Sequence, residues 1–301
     1  MSGARHSGSV RLRSRIGWGL IVLLVIVGSR PGRPSSSLQQ TGPSEATARI
    51  PKTLPFSPGE KLVYQVRYSK FIISATVGKL TFTFDLSQEK PLTRHYHIRA
   101  EARSEGVLLA LLGITVEDLF ESFVDIETFG VVRTRKNLAE GKTRLFQLAV
   151  FDRENQRVTF VVRDLTRPDE PPKVGEKPTR DWVQDIVSAT YYVRSQPLVP
   201  NTSFVFPLSD EGETFDLEVK VFPPEEVETP LGRIKALRLE PQVFGEGRLI
   251  KREGEMVVWV TEDERHVPVA ARLRTGFGTV TAQLIEGYKP PLQEPSKEPD
   301  T

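Results

Sequence analysis

The tightest constraint on this chain is a two-residue rhythm of apolar and polar side chains. Leu62, Tyr64, Val66 and Tyr68 alternate with Lys61, Gln65, Arg67 and Ser69, broken only by Val63. Leu80, Phe82, Phe84 and Leu86 alternate with Thr81, Thr83 and Asp85, and Phe215, Leu217, Val219 and Val221 with Thr214, Asp216, Glu218 and Lys220. Successive side chains of a strand point to opposite faces, so each segment has one dry face and one wet face. That is the pattern of antiparallel strands covering a single interior. The same reading places further strands at 94–103, 118–126, 130–138, 143–151, 156–164, 202–208, 233–241, 248–261, 266–275 and 278–286, about thirteen in all. Thr229-Pro230-Leu231-Gly232 has the chemistry of a type I turn, and 261–265 reads as a charged hairpin tip. Pro268 has no N–H to donate, so its strand begins there or lies at an edge.

One main α-helix is expected at about 181–195, where Trp182, Val183, Ile186, Val187, Thr190 and Val193 recur at helical spacing. Asp181 is placed to cap it or to favour its positive N-terminal end, and Pro197 ends it. A helical turn at 106–112 is also considered, but its apolar run is too continuous to assign. The fold class is therefore mainly β: an antiparallel curved sheet, sandwich or incomplete barrel, lipocalin-like or lipoprotein-carrier-like, around one helix. About eight strands make a barrel whose interior side chains can fill, and more leave space for the helix or a ligand.

Residues 1–29 read as a signal peptide, with an Arg-rich start, an apolar run from Ile16 to Val27, then Gly28 and Ser29. Twelve apolar-run positions fall short of the ~20 that a spanning helix needs; an uncleaved inner-membrane anchor is the alternative. Residues 30–55 form a Pro/Ser-rich disordered linker, 56–289 a single β-rich domain and 290–301 a disordered tail. No cysteine is present, which excludes a disulfide framework and a lipid anchored through cysteine. Removing residues 1–29 takes away four of the 41 Lys and Arg residues, leaving 37 against 39 acids, a net charge of −2. That balance argues against a nucleic-acid partner.

Candidate chemistry is sparse. His95 and His97 share one face of a strand, but with no third ligand near they read as a solvated face, so no metal and no cofactor are expected. His266 lies near Asp263 and Glu264 at a hairpin tip. No Gly-x-Ser-x-Gly elbow or Gly-rich phosphate loop is present, and the chain is read as not an enzyme. A polar helix stripe of Asp185, Ser188 and Tyr192, with Arg194, is the candidate ligand contact, together with Trp259. The structural alternative has Asp185 binding loop amides, Arg194 bridging to a strand and Trp259 packed in the core.

Pro58-Gly59-Glu60-Lys61-Leu62-Val63-Tyr64, the helix Gln184-Asp185-Ile186-Val187-Ser188-Ala189 with Tyr191-Tyr192-Val193-Arg194, and the run from Val258 through Trp259 and His266 to Val269, then Gly278-Thr279-Val280, carry a resemblance. Over most of 56–289 the chain resembles the exported bacterial domain-of-unknown-function family thirty-one-oh-eight. It departs from that pattern at Ser74-Ala75-Thr76-Val77-Gly78, where the family has a small Ala-Gly pair. The resemblance implies an exported envelope protein of a Gram-negative bacterium with no established activity. The expected function is a periplasmic, non-catalytic module that carries a lipid or another hydrophobic ligand. An assembly factor binding other envelope proteins through a strand edge is the alternative, and an envelope glycan-acting enzyme the second. Membrane contact is expected only through an N-terminal anchor, if uncleaved.

Overall fold

The structure, a computed structural model, describes residues 53–92, 94–105 and 115–289. The leader at 1–29, nearly all of the linker at 30–55, the considered turn at 106–112 and the tail at 290–301 lie outside the described residues. Fourteen strands follow in order: β1 (Glu60–Lys70), β2 (Ile73–Leu86), β3 (His95–Ser104), β4 (Glu117–Asp125), β5 (Val131–Glu140), β6 (Thr143–Asp152), β7 (Arg157–Asp164), β8 (Lys173–Pro178), β9 (Thr202–Asp210), β10 (Glu213–Thr229), β11 (Gly232–Pro241), β12 (Gly254–Thr261), β13 (Pro268–Thr275) and β14 (Gly278–Glu286). Between β8 and β9 lies one helix, α1 (Ile186–Arg194).

The pairings between these strands are all antiparallel and form one curved, unclosed sheet in the order β8-β7-β6-β5-β4-β3-β2-β1-β14-β13-β12-β11-β10-β9. It consists of two up-and-down runs, β1–β8 and β9–β14, fused where β1 pairs with β14 from Ser69↔Thr279 to Val63↔Glu286. α1 packs against β3, β4 and β9 on the concave side. The curved sheet with one helix is the architecture the alternation implies. The core is aromatic at its centre: Phe84 stacks on Tyr191 at 5.2 Å and meets Phe56 and Tyr96 edge-on or tilted at 4.8 Å.

Four local expectations are corrected. β8, carrying Lys173-Val174-Gly175-Glu176-Lys177-Pro178, shows no dry face because it hangs on the outer edge of β7 with mostly exposed side chains. α1 begins five residues later than expected, and its N-cap is Asp185 rather than Asp181. Residues ahead of it are held extended, because Gln184 pairs with Leu208 and Trp182 Nε1 donates to the Thr128 carbonyl at 2.9 Å. β12 starts at Gly254 because 242–253 folds into a loop closed by a Phe244↔Ile250 bridge. β10 runs on to Thr229 through a bulge at Phe222/Pro224 that absorbs its prolines.

Gly78, in the segment that departs from the family pattern, sits where β1 bulges at Val66/Arg67. A Cβ there would meet the Arg103 carbonyl oxygen at 2.3 Å, so only glycine permits β2 and β3 to approach.

At the end of β4 and β5 nearest Gly141, buried Asp118 accepts from the Ala139 N–H at 2.8 Å and neighbours Glu140. Burial, then the charge of Asp118, pushes the Glu140 carboxyl up to about 8. Its folded form therefore holds a proton that the unfolded chain, with an ordinary value near ~4.3, has released at neutral pH. The associated stability is complete below pH ~4, declines as pH rises, and is gone above about 8. Glu140→Gln removes this loss: its thermal midpoint relative to the parent rises between pH 5 and pH 9, measured by circular dichroism melts across that range.

Candidate functional site

The site is built around α1, and polar bonds fix both of its ends. At the N-terminus, Asp185 Oδ1 accepts from the Ser188 N–H at 2.8 Å while Ser188 Oγ accepts from the Asp185 N–H at 3.0 Å, a reciprocal capping box. Ser122 on β4 donates its hydroxyl to Asp185 Oδ2 at 2.6 Å, tying the cap to the sheet. Burial raises the Asp185 pKa, against the bonds from Ser122 and Ser188 and the charge of Lys136. One residue earlier, Gln184 donates from Nε2 to the Phe129 carbonyl at 2.6 Å and exchanges backbone bonds with Pro207 and Ser209.

At the C-terminus, Arg194 makes a bidentate pair with Glu60 on β1, Nη1–Oε1 at 2.6 Å and Nη2–Oε2 at 2.9 Å. Its guanidinium, only 1% exposed, lies over the rings of Phe56 and Tyr191. His266 Nδ1 is 2.9 Å from the Arg194 carbonyl oxygen, so the β12–β13 hairpin also grips this helix end.

Between these two anchors the helix does not fill the interior. A cavity of about 250 Å³ lies between Ile186, Val187 and Val193 of α1 and the inner faces of β1–β3 and β9–β14. Its wall is apolar: Leu80, Val219, Leu239, Val258, Met256 and Leu273 are typical. Side-chain size explains the hollow. Ala271 pairs with Ala282 across β13 and β14 and with Val258 across β12, so three adjacent strands present short side chains at one level. Polar lining residues number four, and each is engaged or turned away. Tyr64 donates to the Pro268 carbonyl at 2.8 Å, Thr190 lies 3.5 Å from the Ile186 carbonyl, Arg194 holds Glu60, and the Arg272 guanidinium stacks over Trp259.

A second, charged pocket of about 230 Å³ opens on the other side of the first turn of α1. Lys136 pairs with Asp210 at 2.5 Å there, and Arg135 pairs with Glu121 at 2.5 Å. Burial raises the Glu121 carboxyl, but hydrogen bonds from His97 and Arg135 outweigh it and hold the group down at about 2. These are mutually satisfied pairs that seat the helix N-terminus against β4, β5 and β9.

The candidate residues do not converge on one place. Asp185 and Ser188 are consumed by the cap, and of the two Asp185 faces the charged pocket. Tyr192 is buried between Trp182 and Phe206 at 5.1 and 4.8 Å. Trp259 points to the opposite face of β12 from Met256 and Val258, and its Nε1 donates to Glu225 on β10 at 2.5 Å. Arg194 alone borders the apolar cavity. His97 pairs with Glu121 at 3.0 Å and stacks on Phe123, and among the described residues no three donors cluster as a metal site. The Asp263 carboxylate accepts from Thr261 and Arg265 rather than from the His266 ring, although the His266 N–H donates to the Asp263 carbonyl at 3.0 Å.

Breaking one partner of a buried ion pair leaves the other charge unsolvated, at a cost of ~3–5 kcal/mol, whereas replacing both with apolar groups is often neutral. Glu60→Gln and Arg194→Met are each expected to destabilise the fold by about 3 kcal/mol, and Glu60→Leu/Arg194→Met together to recover most of that loss. Urea unfolding of the three variants measures it.

No curated protein matches the chain by sequence. A beta-barrel-like protein of domain of unknown function DUF1849 from Brucella abortus superposes with a TM-score of 0.51 at 10% identity, covering 76% of this chain and 98% of that one, a likeness of fold. A protein with a YmcC-like fold from Bacteroides fragilis, described as exported, covers 77% of this chain and 96% of its own at TM-score 0.30 and 10% identity. The family model for proteins of unknown function DUF3108 matches residues 63–285, nearly the whole sheet around α1, and the chain belongs to that family.

Proposed function

We propose that this protein is an exported, non-catalytic envelope module that holds a hydrophobic ligand, such as one acyl chain of a lipid, in the cavity beside α1. The observation that carries the reading is the apolar hollow itself, about 250 Å³ and lined almost wholly by aliphatic and aromatic side chains, whereas the second pocket is edged by paired charges. An apolar cavity of ~150 Å³ stays dry and takes up benzene, and pockets for larger ligands begin near ~300 Å³. The size therefore suits a single hydrocarbon chain. The lining supports a binding role over a catalytic one, since its few polar groups are bound to Pro268, Ile186 and Glu60 or stacked on Trp259. Export to the periplasm rests on the Arg-rich and apolar segments of residues 1–29.

An assembly role through a free strand edge has less support. The outer edge strand β8 carries Lys173, Lys177 and Pro178, residues that discourage pairing with another chain.

Organic-solvent extraction of protein recovered from the envelope fraction, followed by mass spectrometry, is expected to release an apolar ligand in near-stoichiometric amount. Ala271→Phe inserts a ring where Val258 and Ala282 leave room, and should lower uptake of a fluorescent fatty acid at least tenfold while the melting midpoint stays within a few degrees. An extract without lipid, together with no uptake by the parent protein, would falsify the reading.

A further inference from the structure

The two hairpins at one end of the sheet carry side chains that the fold does not use. In the β1–β2 turn, Phe71 is 95% exposed, Ile72 100% and Ile73 58%, and in the β13–β14 turn Phe277 is 55% exposed. The turns are side by side, because β1 pairs with both β2 and β14, and Tyr68 donates to the Phe277 carbonyl at 2.6 Å. Three other hairpin tips are polar or glycine-bearing: Gly141-Lys142 between β5 and β6, Asn155-Gln156 between β6 and β7, and Glu211-Gly212 between β9 and β10.

The β1–β2 tip is costly twice over. Phe71 has φ 52, a conformation that glycine or asparagine adopts with less strain and that two-residue hairpin turns ordinarily give to them. An aromatic ring at that position, held in water, contributes nothing to the core. Isolated exposed apolar residues are ordinary, but aromatic and β-branched side chains concentrated on adjacent convex tips mark a contact surface.

We infer that this end of the sheet docks on a lipid bilayer, with Phe71, Ile72 and Phe277 entering the interface and the neighbouring cations meeting anionic head groups. Two narrow tips offer too little area for a stable protein interface, which takes ~800 Å² from each partner, whereas shallow insertion suits a fluid surface. The charge here is mixed: Lys79, Arg103 and Arg274 pair with Glu105, Glu101 and Glu255, while Arg67 and Lys70 on the end of β1 are the further cations beside the tip. The location also fits the proposed ligand, because Leu273 and Val280 line the cavity on the two strands whose turn carries Phe277. Exchange of an acyl chain between bilayer and cavity rests on the cavity reading, but docking does not.

The absence of cysteine permits a direct test on the full chain. A fluorophore is placed by Ile72→Cys at the tip or by Glu154→Cys in the β6–β7 turn at the opposite end, and vesicles of phosphatidylcholine and phosphatidylglycerol with brominated acyl chains are added. Quenching is expected at position 72 and not at 154, and to fall about tenfold in binding strength when Phe71→Ser and Phe277→Ser are added to a tip-labelled chain. Both serines replace exposed side chains, so an unchanged melting curve confirms the fold. Equal quenching at the two ends, as attachment through the N-terminal apolar run alone would give, overturns the inference. So does an unquenched tip, or tips that instead mediate a dimer dissolved by the serine variants. An unquenched tip with lipid still extracted from the protein ends docking but keeps carriage; a quenched tip with an empty cavity does the reverse.

Discussion

The rest of the molecule depends on how α1 is held: by polar bonds at both ends and by close packing of its aromatic side alone. Asp185 and Ser122 fix the start of the helix to β4, and Arg194 and Glu60 fix its finish to β1. A helix of nine residues has little intrinsic stability in water, so these contacts and its buried aromatic side supply its order. A buried ion pair of this kind adds little net stability over an apolar pair. What it adds here is position, since a charged fork accepts one carboxylate in one geometry. With both ends placed, the middle of the helix is free to leave a gap, and the alanines of β13 and β14 keep that gap open.

The same division explains the two unlike pockets on either side of the first helical turn. Where β4, β5 and β9 approach the helix N-terminus, charges pair with one another and hold the backbone. Where β10–β14 approach its apolar flank, no group demands a partner, and the space remains.

Much of the architecture was legible in the sequence because alternation is a property of each strand by itself. Thirteen of the fourteen strands described and the curved antiparallel sheet follow from Leu62 through Tyr68 and its analogues, and α1 from the helical spacing of Ile186, Val187, Thr190 and Val193. β8 escaped notice because an edge strand with both faces wet has no rhythm to read. The helix start was misplaced because Trp182 and Val183 fit helical spacing while serving extended backbone. Arg194 as a bridge to a strand was foreseen in kind, though Glu60 as its partner required the fold. The cavity was invisible, since a packed interior and a hollow one give the same alternation; only the coincidence of Ala271 and Ala282 in register separates them. The exposed tips were equally hidden, because Phe71 and Ile72 fall between the alternating segments that end at Ser69 and begin at Leu80, and nothing in their order shows that they face water.

The pairing of β1 with β14 gives the sheet a hidden continuity. Every other ladder among the described strands joins sequence neighbours, so this pairing alone ties the first strand to the last. It also brings the entrance of the domain near Glu60 next to its exit near Glu286. A circularly permuted chain that began at β9 and ended at β8, with a linker from β14 to β1, would be an uninterrupted ladder of hairpins. Its contact order would fall and its folding would quicken. In the natural chain β1 and β14 can pair only once the last strand exists, so the wall of the hollow beside α1 is completed by the strand made last.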